Sequence, residues 1–287
     1  MAGKRIAATK MVSGRLKFST AQPRIKFRDV ISEADRKKKI PLRYNWGERI
    51  KPDHNWGDYG NLNLDNCTVA SAAHLIMVWR SYQSKHIYRP SAKKIIEDYG
   101  QMITGKPKGS PFIEKALEKG GEPVEAVKML NYWRKKGIDN HKIIAFAKLT
   151  YNNKASRREE LKRAIYLYGG CFIGIDIPRS VEPQWQKGEK WTVLKRAAPG
   201  DGRRRLWFSH ALVAIGYNEN DLLVVTFGKE ETMSWEFYEK YVDEAYAVFD
   251  EKFLRARLTP SRMKVAYLRQ VVKQRIHQIQ SSGEQKS

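Results

Sequence analysis

Residues 60–75 read GNLNLDNCTVASAAHL and place one of the chain's two cysteines at a predicted helix start. From Val69 onwards, apolar residues recur at i, i+3, i+4 and i+7, the spacing of one face of an α-helix. Asp65 and Asn66, which are good N-cap residues, stand directly before Cys67. The unpaired N–H groups and positive dipole end of a helix favour a thiolate, so Cys67 is a candidate nucleophile.

A candidate base for this thiol occurs in the stretch LWFSHALVAIGY, residues 206–217. This run is apolar and rich in β-branched residues, which predicts a strand with His210 in its middle. Side-chain alternation puts His210 on the same face as Phe208 and Leu212, where an imidazole is costly unless its nitrogens are bonded. His210 therefore needs a structural or a catalytic partner. Considered alone, it is more often a satisfied core residue, and Cys67 more often a small buried one.

The order of predicted elements indicates an α+β fold. Helices are predicted first, over residues 68–84 and around 91–99, 111–119, 122–136 and 156–168. Predicted strands dominate the second half, at residues 171–177, 206–217 and 222–227. Helices followed by strands are typical of an antiparallel sheet with helices segregated from it.

These segments together resemble the papain-like cysteine peptidases. The cysteine at a helix start is followed by SHALVAIGY and then by TFGKEETMSWEFYEKY, residues 226–241, which is similar to the family's glycine/tryptophan turn and following strand. GNLNLDNCTVASAAHL and LNYWRKKGI are more specifically similar to a group of bacterial and phage proteins of papain-like fold. The resemblance implies two lobes, a helical one with the nucleophile helix and an antiparallel β lobe, with a cleft between them.

The resemblance also implies roles for two further residues. Asn61 stands six residues before Cys67, where papain-like enzymes carry a Gln that donates to the oxyanion. Thr226 stands sixteen residues after His210, near where the family has an Asn that orients the imidazole. The sequence departs from the family at two positions. Thr226 stands in place of the Asn, and Thr68 replaces the usual aromatic residue after the cysteine.

The function implied is that of a thiol hydrolase, a cysteine peptidase cleaving peptide or isopeptide bonds in a protein or peptide substrate. This chemistry requires no metal or organic cofactor. Two alternatives stay open: a catalytically degenerate binding or structural protein, associated with a virion or with nucleic acid, and an amidase or acyltransferase acting on a non-protein substrate.

The net charge of +23 is concentrated at the two ends. Residues 1–40 contain 12 Lys and Arg against 3 Asp and Glu, and residues 252–287 contain 9 against 1. We therefore predict a basic arm at 1–40, a papain-like domain at 41–255, and a basic amphipathic helix with a tail at 256–287. Basic ends attract polyanions, so nucleic acid is a candidate partner.

Several features indicate a reducing, cytoplasmic compartment, or a virion if the protein is phage-encoded. Two cysteines cannot make a disulfide framework, and no apolar run is long enough for a secretory signal or a membrane span. Cys171 and His74 are interpreted as core residues, Asp53 and His54 as surface residues rather than metal ligands, and residues 105–109 (GKPKG) as a plain basic loop.

Overall fold

One antiparallel sheet organises the chain in the computed structural model, which describes residues 25–50, 55–196, 202 and 205–284. Its order is β2-β7-β3-β4-β5-β6, with β1 pairing to β4, and these strands all pair with their neighbours in antiparallel fashion. The strands are β1 (Tyr44–Asn45), β2 (Ala145–Lys148), β3 (Cys171–Pro178), β4 (Leu206–Tyr217), β5 (Asp221–Thr226), β6 (Lys229–Ser234) and β7 (Val242–Phe249).

The helices supply the second layer of the fold and confirm the predicted α+β class. They are α1 (Phe27–Val30), α2 (Glu33–Lys37), α3 (Cys67–Gln83), α4 (Ala92–Thr104), α5 (Pro111–Glu118), α6 (Ala126–Lys135), α7 (Lys154–Tyr168), α8 (Val181–Gln186), α9 (Trp235–Tyr241), α10 (Glu251–Arg255) and α11 (Val265–Glu284), with a short 3-10 helix at Trp46–Arg49. Within the described ranges, none of these helices combines the length and the apolarity needed to cross a membrane.

Helix α3 runs through the interior and packs against β4. Every residue from Cys67 to Trp79 is buried, so apolar neighbours cover the helix on all sides. Small residues such as Ala72 and Ala73 allow this close approach. The first turn of α3 is thereby fixed against the strand that carries His210.

The segment at residues 226–241 folds differently from the predicted turn and strand. Strands β5 and β6 form a hairpin through Phe227 and Gly228, which both have positive φ, and helix α9 follows. The helix forms because the side chain of Ser234 accepts a hydrogen bond from the backbone N–H of Phe237, which satisfies one first-turn donor. The strand that follows the turn is β7, after α9.

Part of the segment assigned to the basic arm is packed into the body. Phe27, Val30 and Ile31, in and directly after α1, are buried, and α1 contacts α11 near the other end of the chain. The apolar face of α11 begins with Val265 and Leu268, which are also buried. The domain boundaries at residues 40 and 255 stay predictions, and residues 1–24 lie outside the described residues.

Candidate active site

Cys67 is the first residue of α3, and its neighbour Asn66 does not cap the helix as predicted. The Asn66 side-chain amide instead donates to the carbonyl oxygen of Tyr59, 2.8 Å away. The Asn66 side chain therefore leaves the N–H groups of Cys67 and Thr68 free to act on the Cys67 sulfur.

The thiol of Cys67 is buried, with 9% of the residue exposed. Burial raises the pKa of this thiol to about 12, although hydrogen bonding from the backbone N–H groups of Ala211, Thr68 and Cys67 itself acts in the opposite direction. The contribution of Ala211 shows that the sulfur lies beside the backbone of the residue after His210. The thiol is neutral at pH 7.

His210 lies on β4, and its Nε2 is 2.7 Å from Oγ1 of Thr226 on the neighbouring strand β5. The antiparallel register pairs Val213 with Val225, so Thr226 lies opposite Leu212 and reaches His210 as a diagonal neighbour on the same face. The hydroxyl of Thr226 can accept a hydrogen bond from Nε2–H and so fix the tautomer, which leaves Nδ1 as the basic nitrogen.

The imidazole of His210 is also neutral. Burial, followed by the nearby His74, lowers its pKa to about 3, and 3% of the residue is exposed. The ring of Phe227 stacks on the imidazole at 4.5 Å between centroids. Phe227 has a φ of 47°, which is uncommon for a bulky residue and is held here by the tight β5–β6 turn. No local sequence pattern indicates that Phe227 covers His210.

Asn61 lies in the loop that leads into α3, where it is 9% exposed. Its backbone N–H donates to the carbonyl oxygen of Asp58 at 2.9 Å. Within the described residues, no hydrogen bond joins its side chain to Cys67. The loop passes close to Gly228, because a Cβ at that position would come 2.9 Å from the backbone N of Asp58.

His74 is a residue whose contribution sequence reasoning missed. Its Nε2 is 2.8 Å from the carbonyl oxygen of Gly57, and this contact ties α3 to the loop that carries Asn61. Its Nδ1 is buried and has no hydrogen-bond partner among the described residues. Burial lowers the pKa of His74 to about 4. The only sequence signal was its position two turns after Cys67, on the same helix face.

The other residues considered in the sequence make no contact with Cys67 or His210 among the hydrogen bonds and ion pairs of the described residues. The thiol of Cys171 is buried in β3 and donates to the carbonyl oxygen of Tyr246 at 3.1 Å. In the basic loop at 105–109, the Lys108 ammonium pairs with Asp98 at 2.5 Å. Among residues 25–50, 55–196, 202 and 205–284, no three potential ligands gather as a metal site would require. Asp53 and His54 lie outside the described residues.

A groove of about 680 Å³ lies beside α8 and the segment after it. None of the four predicted site residues lines this groove. The structure thus brings Cys67 beside the strand of His210 and bonds His210 to Thr226, while all three of these side chains lie below the surface.

Comparison with known proteins yields structural likeness alone. No family model matches the sequence, and no curated protein matches it. Procathepsin B S9 from Trypanosoma congolense is 13% identical with a TM-score of 0.51, and the match covers 83% of this chain and 86% of that one. A recombinant stem bromelain precursor is 12% identical with a TM-score of 0.48, covering 83% and 78%. The Carica candamarcensis cysteine protease CMS1MS2, in complex with E-64, is 12% identical with a TM-score of 0.45, covering 74% and 99%.

The match to procathepsin B extends over most of both chains, although few residues are identical. It agrees with the two parts seen here, helices around α3 and an antiparallel sheet that contains β4. The chain has a papain-like α+β fold.

Proposed function

We propose that the chain is a thiol hydrolase that cleaves peptide or isopeptide bonds with Cys67 as nucleophile and His210 as base. The observation that carries this proposal is the Nε2 contact of His210 with Thr226, which leaves Nδ1 for the proton of Cys67. The placement of the thiol at a helix start, beside the N–H of Ala211, supports the same pairing.

The attack begins from a neutral pair. Because the pKa of Cys67 is raised and that of His210 is lowered, no thiolate–imidazolium pair exists at rest. His210 Nδ1 takes the thiol proton as the sulfur forms a bond to the carbonyl carbon, so general-base catalysis and attack are coupled. The imidazolium then gives this proton to the leaving amine, and the acyl group remains on sulfur as a thioester.

Hydrolysis of the thioester regenerates the free thiol. His210 takes a proton from water, hydroxide adds to the thioester carbonyl, and the proton returns to the departing sulfur. In both tetrahedral intermediates the negative oxygen accepts hydrogen bonds from the backbone N–H of Cys67 and the side-chain amide of Asn61. Thr226 orients the imidazole, and His74 positions the loop of Asn61 through Gly57.

A peptide library tests this function when it is digested in water enriched in ¹⁸O. The full-length protein is expected to cleave at least one peptide or isopeptide bond and to place one ¹⁸O atom in each new carboxyl group, because water resolves the thioester. Non-protein amides in the same screen test the amidase alternative. An absence of turnover on every amide, by protein whose fold is intact by circular dichroism, would contradict the proposal.

Burial favours a second candidate function, that of a catalytically degenerate papain-like protein that binds a partner. Cys67 and His210 are 9% and 3% exposed, and a neutral thiol is a weak nucleophile. In such a protein the His210–Thr226 bond would only satisfy a buried imidazole. The library digestion separates the two functions, since the second predicts no cleavage.

A further inference from the structure

The two basic ends of the chain meet at one buried carboxylate, that of Asp35. It accepts hydrogen bonds from the backbone N–H of Arg262 at 2.7 Å, from the hydroxyl of Ser261 at 2.5 Å and from the hydroxyl of Tyr168 at 3.3 Å. Asp35 belongs to α2, and Ser261 directly precedes the segment leading into α11. The fold therefore joins segments that lie 226 residues apart in sequence.

The chain after α2 stays close to this point. Arg163 of α7 donates to the backbone carbonyl oxygens of Asp35 and Lys38, each at 2.9 Å. Further along, the ring of Tyr44 contacts that of Tyr166, which lies one turn beyond Arg163, with 4.8 Å between centroids. Residues 35–44 therefore run along α7, and the first of them, Asp35, contacts the start of the C-terminal segment.

The acids of this region are already engaged, whereas four cations are not. Asp35 is buried and bonded, and Glu33 pairs with Lys37 at 2.6 Å. The side chains of four exposed cations form no hydrogen bond or ion pair within the described part of the chain. We name these four the basic junction: Lys39, Arg43, Arg262 and Lys264.

We infer that the basic junction binds the phosphate backbone of double-stranded nucleic acid. Four unpaired cations that approach from two chain segments provide the charge complementarity that such a backbone requires. This interaction is independent of the proposed hydrolase activity, because the junction contains none of the candidate site residues.

Other polyanionic partners fit this surface less well. Insertion into an anionic membrane would need a free apolar face on α11, but Val265 and Leu268 are buried against the body. A single strand is held largely by successive bases stacked on aromatic rings. Among residues 35–44 and 261–268, Tyr267 is the one exposed aromatic residue, which is too few for such stacking. A duplex requires only the cations.

The test measures binding of a 30-base-pair duplex to the full-length protein at several salt concentrations. Each phosphate neutralised adds about 0.9 to the slope of log affinity against log salt. Changing all four junction cations to glutamine (K39Q, R43Q, R262Q and K264Q) should therefore lower the slope by about 2–4. These side chains are exposed, so the melting temperature should not change.

A matched control removes the same charge from the helical lobe. Lys93, Lys115, Lys119 and Lys128 are exposed on or directly after α4, α5 and α6, and their replacement by glutamine should leave the slope near that of the unmodified protein. An equal loss in both quadruple variants would show that only net charge matters. That result would overturn the inference, and so would an unchanged slope in the junction variant. Tighter binding to phosphatidylserine vesicles or to the single strand than to the duplex would overturn it as well.

Discussion

Replacement of Cys67 with alanine is expected to lower the rate of peptide hydrolysis at least about 10³-fold, because a nucleophile shared by every step is removed. The measurement is the turnover rate on whichever library peptide the unmodified protein cleaves. Cys67 has one heavy atom more than alanine, so the variant should fold and melt much as the unmodified protein does.

Cys171 provides a matched control for this prediction. It is the other free, buried thiol of the chain, and burial raises its pKa as it does that of Cys67. Cys171→Ala should leave turnover unchanged, because its sulfur lies in β3 and bonds to the carbonyl oxygen of Tyr246, away from His210 and α3 in sequence and in hydrogen bonding. Equal losses in the two variants would indicate general damage, and full activity in Cys67→Ala would remove Cys67 from the mechanism.

Acid should destabilise the fold through His74 and His210. Both are bases whose pKa is lowered from 6.5 on folding, to about 4 and about 3. Below pH 6.5 the unfolded chain therefore binds more protons than the folded one, so stability is complete above that pH and is lost as the pH falls towards 4 and 3. At pH 4.5 each histidine should cost roughly 2–3 kcal/mol of unfolding free energy.

Denaturant unfolding at pH 7 and at pH 4.5 measures this loss. His74→Gln and His210→Gln should each shrink the difference between the two pH values by roughly 2–3 kcal/mol, because glutamine does not titrate. The variants must be compared with the unmodified protein, because other groups also titrate in this range. Burial raises the pKa of Asp65 and Asp243 to about 6, and these two carboxyl groups make the fold more stable, not less, as the pH falls. His277→Gln, at an exposed position on α11, is the control and should change little. An undiminished difference in His210→Gln would mean that its imidazole is not buried neutral.

The sequence was sufficient for the fold class because the relevant signals are local. Helical periodicity after Cys67 and the β-branched runs at 171–177 and 206–217 each depend on neighbours within one element. The helix that begins at Cys67 and the strand at 206–217 also contain the residues on which the resemblance depends. The contact between His210 and Thr226 could be foreseen only through that resemblance, since it forms across two strands.

Other features depend on tertiary contacts that no local pattern encodes. Asn66 has a side chain suited to capping α3, but the carbonyl of Tyr59 in the packed loop takes its amide instead. Helix α9 has a local signal in Ser234, a good N-cap residue, but the resemblance to the family's turn and strand predicts a strand there instead. The burial of Cys67 and His210 together follows from packing around α3.

The partners of Asp35 likewise could not be predicted from local sequence patterns. In sequence it is one acid in a basic segment, and nothing near it indicates Ser261 or Arg262 as partners. In the fold this carboxylate is buried and accepts hydrogen bonds from the hydroxyl of Ser261 and from the backbone N–H of Arg262. The sequence alone therefore predicts two separate basic ends, whereas the structure joins Asp35 of the first to Ser261 and Arg262 of the second.

The central claim is that Cys67 and His210 act as one chemical unit, and covalent trapping tests it most directly. The full-length protein would be incubated with E-64 or a peptide vinyl sulfone at pH 7, and the modified residue identified by tandem mass spectrometry. The account predicts one adduct per chain, on Cys67, that forms at least about 10²-fold more slowly in His210→Ala, where the general base is absent. An adduct that forms equally fast in His210→Ala, or on Cys171 as readily as on Cys67, would contradict the account.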